Sequence, residues 1–176
     1  MLKDFKPVLK ILLRFIIIYL VLLFAYQFYL NCFKEFGLDP YSRMIARQVM
    51  HVQNFLGYPS ALYDDVPQQQ IWFHVKTGFV TRMVEGCNAI SVFILFVAFI
   101  FAFYKGLKTF VFVGVSLVIL YILNVLRIVG LNIVYSDYHQ YGKMVHDYVF
   151  PSVIYGSVIA FWLIWIKFFA LKNENS

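Results

Sequence analysis

The sequence predicts an all-α membrane protein with about four transmembrane helices and a small extracytoplasmic segment. Of its 176 residues, 62% are hydrophobic and the mean hydropathy is +0.74, whereas apolar residues make up only about half of a soluble domain. Four stretches lack any charged residue over nearly a membrane thickness: Phe15–Phe33, Asn88–Tyr104, Thr109–Leu126 and Tyr148–Ile166. Because no internal repeat or flexible linker divides the chain, residues 1–176 are expected to form a single membrane domain.

The first apolar stretch has the features of an uncleaved anchor. Four basic residues precede it, as in a signal peptide: Lys3, Lys6, Lys10 and Arg14. Its apolar run is longer than a signal core, and no small-residue cleavage site follows it. Further along, only residues 105–108 separate the second and third stretches, which predicts a tight helical hairpin. Pro151 is expected in the first turn of the last helix, where its missing N–H costs little.

Basic residues beside the spans predict the topology, because they are enriched on the cytoplasmic side of membrane proteins. The basic N-terminus is therefore expected in the cytoplasm. Four spans would also place the loop with Lys105 and Lys108 and the tail with Lys167 and Lys172 there. The net charge of +6 then lies entirely on that side. The lipid bilayer accounts for this charge, so we expect no nucleic-acid partner.

Residues 34–86 form the predicted extracytoplasmic segment. Within residues 41–56, apolar side chains recur at helical spacing, which predicts an amphipathic helix resting at the outer membrane interface: Ile45, Val49, Val52 and Leu56. Turns at Pro59 and Pro67 follow. Apolar and polar residues then alternate over residues 71–76 before a Thr77-Gly78 turn, a pattern typical of a short β-hairpin.

Cys87 is the first candidate for chemistry, at the start of the second span. A helix N-terminus stabilises a thiolate, and the preceding Gly86 would let a substrate backbone approach closely. A single cysteine at a membrane border is, however, more often an ordinary small apolar residue. With Cys32 as the other cysteine, the chain has too few for a disulfide scaffold or a thiolate metal site.

Two polar residues near the end of the third span share one helical face, because Asn124 and Arg127 are three positions apart. Polar groups in a membrane helix usually line a bundle interior or a water-filled cleft. The alternative is an interfacial arginine that extends to the headgroups and pairs with Glu85 or Asp147.

His146 lies at the head of the fourth span, and its imidazole is suited to general acid–base catalysis near neutral pH. The alternative is a hydrated histidine at the membrane interface. His139, seven positions earlier, raises the idea of a metal site. Without a third ligand in the sequence we expect no metal and no cofactor.

Helix counting places Cys87, Arg127 and His146 at the same membrane border. A thiolate that attacks a carbonyl, a cation that stabilises the oxyanion and an imidazole that moves protons are the groups required for thiol-based acyl transfer. The three residues are therefore more informative together than any of them is alone.

The order of these residues resembles the exosortase/archaeosortase family: Cys at the start of one span, Asn-x-x-Arg ending the next, and His at the head of the following one. The likeness covers roughly residues 80–160 with the N-terminal anchor, although this chain has fewer spans than the larger exosortases and Glu85-Gly86 precedes its cysteine. The resemblance implies a cysteine protease or transpeptidase in a bacterial inner membrane. Its partners would be secreted proteins bearing a C-terminal sorting signal, cleaved at the outer face, and an acceptor.

Carried over to this sequence, the resemblance implies that Cys87 is the nucleophile, His146 the acid/base and Arg127 the oxyanion stabiliser. Asn124 would orient Arg127 or the substrate. One rival interpretation is a non-catalytic assembly or scaffold subunit in which Cys32 and Cys87 form a disulfide. A small transporter subunit is disfavoured, because the middles of the spans are almost wholly apolar.

Overall fold

The computed structural model describes residues 6–170, which form six helices and three strands. In chain order these are α1 (Lys6–Phe33), α2 (Pro40–Phe55), β1 (Ser60–Asp65), β2 (Gln70–Val75), β3 (Gly78–Met83), α3 (Ile90–Ala102), α4 (Leu107–Asp137), α5 (His139–Met144) and α6 (Phe150–Trp165). A 3₁₀ turn covers Glu85–Cys87, and π-helical turns cover Val145–Val149 and Ile166–Ala170. The topology prediction also used Lys3 and Lys172, which lie outside the described residues.

Three helical runs are long and apolar enough to cross a membrane: Val8–Phe33, Leu107–Asp137 and His139–Phe169. The predicted second span corresponds to α3, which has 13 residues. At about 20 Å, α3 is shorter than a hydrocarbon core of about 30 Å. Its Phe96 and Ile100 are fully buried inside the bundle. Three of the about four expected spans therefore correspond to helices that are long and apolar enough to cross a membrane. The other one corresponds to the shorter apolar helix α3, which is packed among them.

Pro151 lies in the first turn of α6, as predicted. The helical run as a whole begins earlier, at His139, so α5 and a π-helical turn precede the proline. Proline has no N–H to donate to the carbonyl of the residue four positions before it. The chain accommodates this by a π-helical turn, in which the Phe150 N–H bonds to the Val145 carbonyl five positions back. Such turns occur inside otherwise regular helices, frequently at functional sites.

The predicted hairpin is present as β2 and β3, joined by Lys76 and Thr77. A third strand, β1, pairs antiparallel with β2, so the chain is mostly helical but not all-α. One face of β2 is buried through Ile71, Phe73 and Val75, as its alternating pattern predicts. The sequence of β1 has no comparable alternation, and none of its residues is fully buried.

The predicted amphipathic helix is present as α2, and protein covers most of its apolar face, whereas Leu56 at its end is 51% exposed. Ile45 and Val49 are fully buried and belong to one core cluster with Val125, Ile128 and Val129 of α4. Each fully buried side chain of this kind contributes about 1.5–3 kcal/mol. The buried part of this face therefore packs α2 against α4.

The sheet runs alongside the last turns of α4. Lys76 bonds to Asp137 at the end of α4 with an Nζ–Oδ1 distance of 2.5 Å, and this hydrogen bond raises the pKa of the Lys76 ammonium. Further back along α4, the Thr81 hydroxyl donates to Asn132. β3 therefore runs along α4 from Asp137 at its C-terminal end back toward Asn132, and the chain then continues to Cys87.

Candidate active site

Cys87 closes the 3₁₀ turn between β3 and α3, with its N–H bonded to the Val84 carbonyl at 2.9 Å. Ala89 then adopts a left-handed conformation (φ 63°), and α3 begins at Ile90. Cys87 therefore lies three residues before α3 and not in its first turn. The α3 dipole acts on the thiol from farther away than the sequence indicated, because such effects fall off within the first turn.

A buried polar network that the sequence analysis missed holds this turn in place. The side chain of Asn88 is 1% exposed. Its Nδ2 atom donates to the Tyr26 hydroxyl and to the Ser42 Oγ, both at 2.8 Å, and its Oδ1 accepts from the Ile90 N–H at 2.9 Å. The Tyr26 hydroxyl in turn donates to the Glu85 Oε1 at 2.8 Å. The residue that follows Cys87 is thus anchored to both α1 and α2.

We expect Asn88→Ala to destabilise the protein by about 1–3 kcal/mol, because it leaves buried hydrogen-bonding groups without their partner. The measurement is the unfolding midpoint of the purified protein in detergent. Asn54→Ala is a suitable control, since Asn54 is an exposed residue of α2 that bonds to Ser60. Equal midpoints for the two variants would show that the Asn88 network does not hold the turn.

Asn124 and Arg127 bind the same atom. The Asn124 Nδ2 and the Arg127 Nη2 donate to the carbonyl oxygen of Cys87 at 3.2 and 3.1 Å. The pairing of Arg127 with Glu85 or Asp147 is not observed, because Glu85 accepts from Tyr26 and Asp147 bonds to His146. Within residues 6–170, Arg127 forms no ion pair, so its cationic group faces the turn that carries the thiol without a neutralising carboxylate.

His146 lies on the π-helical turn before Pro151, and its side chain is 58% exposed. Its Nδ1 is 2.8 Å from the Asp147 Oδ1. A carboxylate in this position favours the tautomer with hydrogen on Nδ1. The Nε2 atom is then free to accept a proton. Asp147 thus fits the orienting role that general bases commonly require.

Cys87, Arg127 and His146 line one cavity of about 120 Å³. Thr81–Met83 of β3 form another side of it, and Phe150 of α6 also contributes. The ring of Phe150 approaches α4 at Gly130, where a Cβ atom would lie 3.2 Å from the ring. His139 does not line this cavity. The structure therefore brings together the three residues that the sequence singled out, from two helical runs and a turn.

Both cysteines are free thiols: Cys32 is exposed on α1, and Cys87 is half-buried at the cavity. The disulfide on which the scaffold interpretation depended is therefore absent from the structure.

The family model for the transmembrane exosortase (EpsH) matches residues 6–170. No curated protein and no solved structure matches the chain.

Proposed function

The chain belongs to the transmembrane exosortase family, and from this premise we propose that it is a membrane-embedded cysteine transpeptidase or protease. Its substrates are secreted proteins with a C-terminal sorting signal, which it cleaves at the outer face of the membrane. The observation that carries the proposal is the common cavity of Cys87, Arg127 and His146. These residues are the nucleophile, the oxyanion stabiliser and the acid/base of acyl transfer, respectively.

In the proposed reaction, His146 takes up the thiol proton of Cys87, and the resulting thiolate attacks the carbonyl carbon of the scissile peptide bond. The negative charge moves to the carbonyl oxygen, where an N–H of Arg127 not used by the Cys87 carbonyl stabilises it. The C–N bond then breaks, and His146 donates a proton to the departing amine. The resulting thioester is attacked by an acceptor amine or by water, whose proton returns to His146. The thiolate of Cys87 is then free for another cycle.

The proposed orientation puts the N-terminus and the loop at Lys105 and Lys108 in the cytoplasm and the cavity outside. It therefore requires the short helix α3, with the apolar residues that flank it, to cross the bilayer beside α4. The stretch of α4 from Leu107 to Asn124, which bonds to the Cys87 carbonyl, is about 25 Å long. This is close to the hydrocarbon thickness of about 30 Å. The remaining turns of α4 contact the sheet. A cavity at the outer border would let the membrane helix of a substrate dock laterally and hold the scissile bond beside the thiol.

The test is labelling of intact cells with a membrane-impermeant thiol reagent, read out by mass spectrometry of each cysteine. We expect Cys87 to react faster than Cys32, and its rate to fall by about 10-fold or more in His146→Ala, because the imidazole no longer promotes the thiolate. Cys32 supplies the internal control, as its labelling should not depend on His146.

Two results would count against the proposal. If Cys87 were labelled at the same rate with and without His146, His146 would not be the acid/base of the reaction. If both cysteines reacted only after a reductant was added, they would be paired in a disulfide and the scaffold interpretation would replace the catalytic one.

A further inference from the structure

The outer edge of β3 opens onto the cavity that contains Cys87. β3 is the outermost strand of the sheet, so within the described chain it has a strand partner on one side only. Three consecutive residues, Thr81–Met83, line the cavity. Because successive side chains of a strand point to opposite faces, a cavity in contact with all three lies along the edge, where the backbone groups point.

Backbone groups at this edge are available for hydrogen bonds. Every second residue of a strand directs both its N–H and its C=O away from the partner strand, so Thr81–Met83 include at least one such residue. Across residues 6–170, the backbone of these three residues forms no hydrogen bond outside the sheet; the side chains of Thr81 and Arg82 bond to Asn132 and Gln70. Unpaired groups of this kind form a template for another extended chain.

The direction of β3 matches the path of the substrate. Contacts with α4 at Lys76, Thr81 and Cys87 show that β3 runs from the far end of α4 toward the thiol. In the proposed function, the membrane helix of the sorting signal follows the scissile bond. The residues before that bond therefore also approach Cys87 from outside the membrane, parallel to β3.

We propose that the residues preceding the scissile bond bind as an extended strand parallel to β3, with their backbone hydrogen-bonded to its free edge. This inference rests on the proposed function. Gly86 leaves room at the end of such a strand, since a Cβ atom there would meet nothing within 4 Å. The partner is thus an unfolded peptide segment recognised through its backbone, the general mode of β-strand addition.

The experiment uses the purified full chain and a biotinylated tetra-alanine that ends in a vinyl sulfone. The Cys87 sulfur adds to the alkene carbon, and the adjacent carbanion takes up a proton, so no further reactant is needed. Four analogues each carry one N-methyl group on a different backbone nitrogen. We expect methylation at alternate positions to slow labelling of Cys87 by about 3- to 10-fold, the effect of losing one hydrogen bond. Methylation at the intervening positions should change the labelling rate by less than about 2-fold, because the N–H groups there point away from β3.

Labelling of Cys32 by the same five probes is the control, since it should be independent of methylation. Equal slowing at all four positions, or at none, would overturn docking on β3 while leaving the reactivity of Cys87 and the proposed function in place. Docking on β3 would also be overturned, with the proposed function left in place, if the peptide probe labelled Cys87 no faster than a vinyl sulfone without a peptide. If Cys87 reacts neither with the probes nor with iodoacetamide, the proposed function fails and docking on β3 fails with it.

Discussion

Replacing Cys87 with alanine is expected to abolish cleavage of the sorting signal, with a loss of at least about 10⁴-fold. The reason is that no other group lining the cavity can form the thioester: Cys32 is exposed on α1 and does not line the cavity. The measurement is the mass of a secreted substrate, with and without its C-terminal segment, in cells that carry the variant in place of the natural protein.

Cys32→Ala is the matched control and should process the substrate at the natural rate. Cys87→Ala should also retain the unfolding midpoint of the natural protein to within a few degrees, since Cys87 is only half-buried. Continued cleavage by cells whose only copy is Cys87→Ala would refute the assignment of Cys87 as nucleophile.

Loss of Arg127 is expected to have the second largest effect. Arg127→Ala should lower kcat/KM by about 10²-fold or more, the usual scale for removing an oxyanion donor. Arg127→Lys should lose about 10-fold, because an ammonium retains the charge but lacks the planar fork of donors. One fork nitrogen already bonds to the Cys87 carbonyl, so a single ammonium would have to serve the carbonyl and the oxyanion together.

Arg43→Ala is a suitable control for the loss of an arginine. Arg43 forms an ion pair with Asp64 at 2.7 Å, and both side chains are partly exposed. Such pairs contribute little to stability, so we expect processing within about 2-fold of the natural rate. If Arg127→Ala were as active as Arg43→Ala, the oxyanion role would be wrong, and Arg127 would serve only to hold the turn at Cys87.

Much of the fold could be predicted from local patterns. The long helices α1 and α4 are apolar over a membrane thickness, which hydropathy detects directly. The period of 3.6 residues in α2 and the alternation in β2 are likewise properties of contiguous residues. The strand β1 has no such pattern, and its place in the sheet depends on pairing with β2, which is a contact between distant parts of the chain.

Local patterns give a wrong helix length where an apolar stretch is longer than the helix that it forms. Residues 88–104 are as apolar as a full span, yet α3 starts only after the left-handed Ala89 and ends at Ala102. The same limit applies to α2: an amphipathic pattern shows that one face is apolar, but lipid and protein cover such a face equally well. The packing of Ile45 and Val49 against α4 decides in favour of protein.

The sequence by itself determined the membrane class of the protein, its family and the identity of the candidate residues, because hydropathy and motif order are encoded along the chain. Tertiary structure alone decided how these residues are arranged. It places the buried Asn88 network beside Cys87, directs the hydrogen bonds of Asn124 and Arg127 to the Cys87 carbonyl, and sets the free edge of β3 beside the thiol. Each of these depends on groups far apart in sequence, and their hydrogen-bonding needs are met only when the helices and the sheet have packed.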